Sequence, residues 1–410
     1  MLKVENIDLI LSVKKMTSKV FFGSLQHGKA NRFASLGAKY EKILESLDFS
    51  TIEKKDKVAI KMHLGFNDGY QTVPVFFVRR LVKAIKKTGG VPFVTDNPTA
   101  VYNAVNRGYT EETCGCPIIP VAGIKDGYVY SKKVDFKGVD SVDLAGVLHD
   151  ADVLINFAHA KGHGLPGFGG VIKNIALGGF AAKTRWNKIH GVVHYDKYWD
   201  PDKCTPEHAK KLVESCPEKC IDYKEDKHEL KVGFYNCNQC FKCLKADEGV
   251  GSLEIKQENY DAFSEFQAIA AKLVLDTFDK NKIFNFNVAL QITAFCDCMG
   301  MPQPIVVNEI GILASKDTVA IEKATLDLIK KEGLLESSIP PFLNNVQLKP
   351  ELHPFQQLFG HFKDPYKIVE YAEKLGMGTS KYELVEILSP EETAKMEPPK
   401  EKYESEPTFF

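Results

Sequence analysis

The sequence predicts an α/β fold: a mainly parallel sheet covered by helices and interrupted by a small cysteine-rich insertion. Three observations carry this reading. Strand-like and helix-like runs alternate through the first half of the chain, and the same alternation resumes beyond residue 255. Between them, six of the ten cysteines crowd into the stretch from Cys204 to Cys243. The boundaries that follow are 18–196 for the first part of the α/β body and 197–255 for the insertion. The second part of the body is 256–389, and 390–410 is an unstructured tail rich in Pro, Glu and Lys.

Lys57–His63 is an apolar run of strand length, and Val75–Ile85 has the 3.6-residue periodicity of an amphipathic helix. Gly89 and Gly90 stop that helix, because glycine accepts the left-handed conformation of a helix C-cap. Val91–Asp96 and Asp152–Asn156 read as further strands, and strand–helix–strand spacing of this kind favours parallel pairing. Within the insertion, Lys224–Glu229 is a solvated turn between two short β pieces. Beyond it come a helix over Phe263–Asp279, a strand over Val288–Thr293, a strand over Ile310–Ala314 and a helix over Thr318–Lys331.

The insertion holds the tightest ligand spacing on the chain. Cys237, Cys240 and Cys243 form C-x2-C-x2-C, which lets three thiolates wrap three corners of an iron–sulfur cube from one loop. In bacterial-type ferredoxins the fourth corner comes from a remote Cys-Pro, and Cys216-Pro217 suits that role. One 4Fe-4S cluster on Cys216, Cys237, Cys240 and Cys243 is therefore expected, making this a ferredoxin-like iron–sulfur insertion. Zinc on Cys216, Cys220, Cys237 and Cys240 is the alternative, although it leaves Cys243 without a role. Disulfides would need an oxidising compartment. Cys204 and Cys220 are surplus in the cluster reading. So few apolar residues lie in this stretch that its order should depend on the bound group.

A second constellation follows the strand ending at Asn156. His159, Lys161, His163 and Lys173 stand among five glycines within sixteen residues. Loops beyond the carboxyl ends of parallel strands form the binding crevice of such sheets. Glycines there let backbone N–H groups approach an anion, and the helix that follows would offer its positive end to the same anion. His159 and His163 could share a metal or move protons. The bland alternative is a flexible turn with solvated histidines. The order Gly-x4-Gly-Lys-Ser/Thr is absent, so this is no Walker loop.

Cys296-Asp297-Cys298 is a third motif, able to chelate a soft metal or act as a redox pair; otherwise these are small buried residues. Cys114-Gly-Cys116 has similar spacing, but Gly and Pro there already explain a turn. His63 and Asp96, at strand ends, could line the same crevice or serve as turn residues. His190 and His194 could pair on a metal, or pack near the junction with the insertion.

Composition excludes several classes. The 410 residues carry a formal net charge of -1, with 44% apolar and 26% charged residues, so nothing draws the chain toward nucleic acid or an anionic membrane. No signal peptide and no apolar run of membrane-spanning length is present. A cytoplasmic protein with reduced thiols is expected, its partner a redox protein or a small-molecule substrate; oligomeric state is not encoded in any visible pattern.

With these pieces in order, the chain resembles the uncharacterised iron–sulfur-centre proteins of domain-of-unknown-function family 362. The likeness runs from about Ser18 to Ile329 and rests on several separate segments. These are Val58–His63 with Gly65, Phe93–Asp96, His159–His163, Gly167–Asn174, Cys296–Cys298 and Ile310–Asp317. The resemblance implies an α/β body interrupted by a ferredoxin-type segment. Family members often carry two complete four-cysteine motifs. Here the first half lacks its C-x2-C-x2-C and the second lacks the closing Cys-Pro, which leaves ligands for one cluster. The resemblance brings no known reaction.

Overall fold

The computed structural model describes residues 17–397. One eight-stranded sheet organises them. Its strands lie in the order Tyr382–Glu386, Ser18–Ser24, Gly311–Ser315, Ile283–Ala289, Val153–His159, Lys57–Lys61, Val91–Asp96 and Ile118–Pro120. Five of the seven neighbouring pairs are parallel, and the two antiparallel pairs both involve Gly311–Ser315. The protein is thus α/β with a mainly parallel sheet.

Strand Val153–His159 shows why the sheet needs helices on both faces. Val153, Ile155 and Phe157 enter one apolar cluster, together with residues of helices Leu36–Ser46 and Val75–Thr88. Leu154 and Ala158 enter the other, with helices Val171–Gly178, Gln257–Leu275 and Thr318–Glu332. A strand buried on both sides reads as an unbroken apolar run rather than an alternating one. The helix ending at Thr88 is closed by Gly89, whose φ of 91° lies in the left-handed region.

Two elements differ from the sequence reading. The strand expected over Val288–Thr293 lies at Ile283–Ala289. Asn285 and Asn287 make its first half look polar, yet both are buried. Asn156 donates to Asn285 Oδ1 at 3.0 Å, and Asn287 donates to Thr325 Oγ1 at 2.9 Å. The helix expected from Phe263 starts at Gln257 and ends at Leu275. Asn259 reaches back to the Lys256 amide and stabilises this earlier start.

In the expected tail, Pro390–Ala394 form a short helix whose Ser389 and Glu392 cap each other, and Thr393 accepts from the Gly28 amide. Residues 398–410 of that tail lie outside the described residues. Between 197 and 255 the chain adds a helix, Pro206–Ser215, and an antiparallel hairpin, Ile221–Lys224 with Glu229–Val232. No helix among the described residues is long and apolar enough to cross a membrane.

Candidate functional site

Lys61, Asp96 and His159 are the last residues of three parallel strands, so all three stand at the carboxyl edge of the sheet. Loops beyond this edge enclose a crevice of about 640 Å³, including the part open to solvent. His63, Lys161, His163, Lys173, Arg185, His190, Cys296 and Cys298 join its lining.

The floor is built from paired charges. Lys61 Nζ lies 3.0 Å from Asp96 Oδ1, and Asp96 Oδ2 faces His63 Nδ1 at 2.8 Å and the Leu64 amide at 3.0 Å. Burial would raise the Asp96 carboxyl, but Lys61 and His63 hold it well below the usual carboxylate range. Asn174 donates to the Lys61 carbonyl and to Asn156 at 2.8 Å each, which fastens helix Val171–Gly178 to the sheet.

A second set of pairs fixes the cysteine loop. Asp297 receives His159 Nδ1 at 2.9 Å and Lys161 Nζ at 3.1 Å. His159 Nε2 is also engaged, 2.8 Å from the Leu290 carbonyl. Both nitrogens of His159 are therefore spent, and the expected sharing of a metal by His159 and His163 is not what the fold builds. His159 and Lys161 hold Asp297 in place. His163 instead meets the sulfurs.

Cys296, Cys298 and His163 bring one ligand atom each to within 4.8 Å of the others, and among the described residues no other three His, Cys, Asp or Glu side chains do so. The Leu165 amide donates to His163 Nδ1 at 3.2 Å, leaving Nε2 free of any hydrogen-bond partner among the described residues. Lys173 Nζ stands 3.4 Å from Cys296 Sγ. A hydrogen bond from Cys298, then Lys173, Lys161 and His63, draw the Cys296 thiol well below its ordinary value against the opposing effect of burial. Burial, then Lys173, keeps His163 neutral.

The place expected for an anion at the start of the helix after the glycine loop is taken by a side chain of the protein. Glu322 Oε2 accepts from the Val171 amide at 2.8 Å, so the positive end of helix Val171–Gly178 is occupied from within. Lys173 and Arg185 have no carboxylate ion-pair partner among the described residues, and Lys173 faces the Cys296 sulfur instead.

The inserted cysteines converge elsewhere. Cys216, Cys237, Cys240 and Cys243 line one cavity of about 340 Å³, and Cys220 lines it with them. The Cys220 amide donates to Cys216 Sγ at 3.2 Å. Cys204 is buried apart, its Sγ near the Thr205 carbonyl. All ten cysteines are free thiols.

A tetrahedral zinc with 2.3 Å bonds to sulfur needs sulfurs roughly 3.8 Å apart. No three sulfurs of this cavity lie mutually within 4.8 Å. The donor set, five thiols lining one cavity, suits a thiophilic metal ion or an iron–sulfur group.

One residue joins the two places. Tyr235 lies two positions before Cys237; its ring meets that of His163 edge-on at 5.0 Å and stacks on Phe295 at 6.4 Å. Burial, then Cys298 and Cys296, raise its hydroxyl well above the ordinary tyrosine value. The remaining candidates fall outside the crevice chemistry. Cys114 and Cys116 are buried thiols, pushed up to about 11 and about 12 by burial. His190 lines the crevice and stacks on Trp186 at 4.9 Å, whereas His194 packs on Tyr198 and Phe234, so they form no metal pair. Lys61, Arg185, Trp186 and Tyr235 escaped sequence reasoning because each reaches its site only through tertiary packing.

Fold and site together define an α/β protein with a charged, cysteine-bearing crevice at the carboxyl edge of a mainly parallel sheet. The chain belongs to the family described as domain of unknown function DUF362, whose model matches residues 58–327. No curated protein matches it. Five solved chains do. One is the lactate racemase apoprotein from Thermoanaerobacterium thermosaccharolyticum, at 11% identity and a TM-score of 0.36. That match covers 78% of this chain and spans 59% of that one.

Proposed function

We propose that this chain is an iron–sulfur redox protein of the cytoplasm, with one 4Fe-4S cluster on Cys216, Cys237, Cys240 and Cys243. It exchanges electrons with a soluble partner protein or with a small substrate held in the crevice. The observation that supports this reading is the convergence of the Cys216 thiol with the Cys237–Cys243 triplet around one cavity.

When bound, such a cluster supplies single electrons at a potential set by charge, burial and hydrogen bonds to its sulfurs. The chain's own residues do the rest. The Cys220 amide donates to Cys216 Sγ, a bond that favours the thiolate form. Lys173 and Arg185 give the crevice a positive field suited to an anionic substrate, and Tyr235 and His163 put aromatic contact between the two places.

The test is anaerobic purification with iron and sulfide analysis. About four irons per chain and a broad visible absorbance that bleaches on reduction are expected. Cys240→Ser should lose them, and Cys204→Ser should keep them. Zinc in place of iron would overturn the cluster.

A second reading keeps the cluster as a structural staple and makes the crevice a metal or anion site of a non-redox enzyme. Two cationic side chains in the crevice lining, Lys173 and Arg185, favour it. An iron-loaded protein whose absorbance does not respond to dithionite would select it.

A further inference from the structure

We infer that the crevice is a second metal site, separate from the inserted cysteines. In it His163, Cys296 and Cys298 bind one thiophilic late-transition-metal ion of the zinc type and leave a fourth position open to the cavity. This does not rest on the cluster.

The two cysteines sit at a single-turn helix, Asp297–Met299. Cys296 precedes it and Cys298 lies within it, so the residue between them decides where the sulfurs face. Asp297 is held by His159 and Lys161, and the flanking sulfurs line the crevice.

His163 arrives on a different element, the small hairpin Lys161–His163 with Gly167–Gly169. That hairpin is tied to the cysteine segment through the Gly162 amide, which donates to the Thr293 carbonyl at 2.9 Å. The approach is so close that a Cβ on Gly162 would stand 2.0 Å from the Ala294 carbonyl oxygen. Two segments more than 130 residues apart thus deliver their ligands to one point. Sequence neighbourhood explains the two cysteines; it does not explain the imidazole.

The dimensions suit a single ion. Bonds of about 2.3 Å to sulfur and about 2.0 Å to nitrogen place tetrahedral ligand atoms roughly 3.5–3.8 Å apart. The three atoms already lie within 4.8 Å, so small side-chain rotations close the site. Three protein ligands with an open fourth position is the pattern of catalytic zinc, and two thiolates select soft or borderline metals over magnesium or calcium.

Coordination through the free Nε2 places the ring proton on Nδ1. The Leu165 amide, 3.2 Å away, must then find another acceptor as the ion enters. Lys173, 3.4 Å from Cys296 Sγ, supplies the outer hydrogen bond that such thiolates take. An oxygen of an anionic substrate at the fourth position would lie in the same crevice as Lys173 and Arg185.

The experiment uses the full chain, reduced and anaerobic, titrated with Co2+ and then with Zn2+ while iron is counted separately. One equivalent of Co2+ should bind with sulfur-to-cobalt charge-transfer absorption and the intense visible bands of tetrahedral cobalt, and one equivalent of Zn2+ should erase them. His163→Gln and Cys298→Ser should each weaken Co2+ by at least about 100-fold, with iron content and thermal unfolding unchanged.

Co2+ bands of undiminished strength in both variants overturn the site, as does a reduced wild-type chain that takes up no Co2+. Four irons without cobalt bands would remove this site and leave the cluster. Cobalt bands without iron would do the reverse.

Discussion

Glu322 is a carboxyl group with nowhere to put a charge. It is buried, its Oε2 caps the Val171 amide, and its Oε1 has no hydrogen-bond partner. Burial pushes it from 4.5 up to about 8. A folded-state pKa above the unfolded one means that the folded chain holds the proton longer. The stabilisation is complete below about pH 4.5 and is lost as pH rises through about 8. A shift of this size corresponds to about 5 kcal/mol at most. Thermal unfolding measured from pH 5 to pH 8 should therefore show falling stability in the wild-type chain. Glu322→Gln, which keeps an acceptor for Val171 and cannot ionise, should flatten that slope. An unchanged slope would mean that Glu322 is charged and paired in a way the buried environment does not offer.

At the scale of elements, the small hairpin carrying His163 is held against the cysteine segment by the Gly162 amide and by the Lys161–Asp297 pair, so its glycine is a lever on the site. Gly162→Ala places a methyl where the Ala294 carbonyl stands, and overpacking of this kind costs about 1–3 kcal/mol. The hairpin should move off the loop, lowering Co2+ affinity at least about tenfold while iron content is kept. Equal cobalt binding in both proteins would show that His163 is not part of the site.

The same element explains what could be read in advance. His159, Lys161, His163 and Lys173 were visible as a dense polar group after a strand, because short-range sequence placed them together. Their division of labour was not visible, since Asp297 takes His159 and Lys161 from 138 and 136 positions away. Strands Lys57–Lys61 and Val91–Asp96 were legible as apolar runs, whereas Ile283–Ala289 hid behind two asparagines whose partners lie on other elements. Cys220 looked idle because its contact is a backbone N–H to another residue's sulfur, which spacing rules do not capture.

For the molecule as a whole, the two sites are clamped by a segment that lies beyond the family match. Helix Pro354–Phe359 and the loop after it bring Lys363 into the interior. Its Nζ donates to the Gly164 carbonyl of the crevice loop and to the Tyr235 and Cys237 carbonyls of the insertion, the last at 2.6 Å. Gln239, buried between Asn238 and Cys240, accepts from the Phe362 amide at 2.8 Å. One ammonium group therefore bonds both cavities at once, and each carbonyl it leaves unpaired costs about 1–3 kcal/mol when buried.

Lys363→Met keeps the apolar stem and removes the three hydrogen bonds. It should lower iron content and weaken Co2+ binding together, and the thermal midpoint should drop. Lys349→Met, a change on an exposed loop, should alter none of them. If iron falls and cobalt binding stays, the crevice stands without the clamp, and the two sites are independent units that share a chain. If both fall in proportion, the C-terminal segment is what holds the two sites together as one unit.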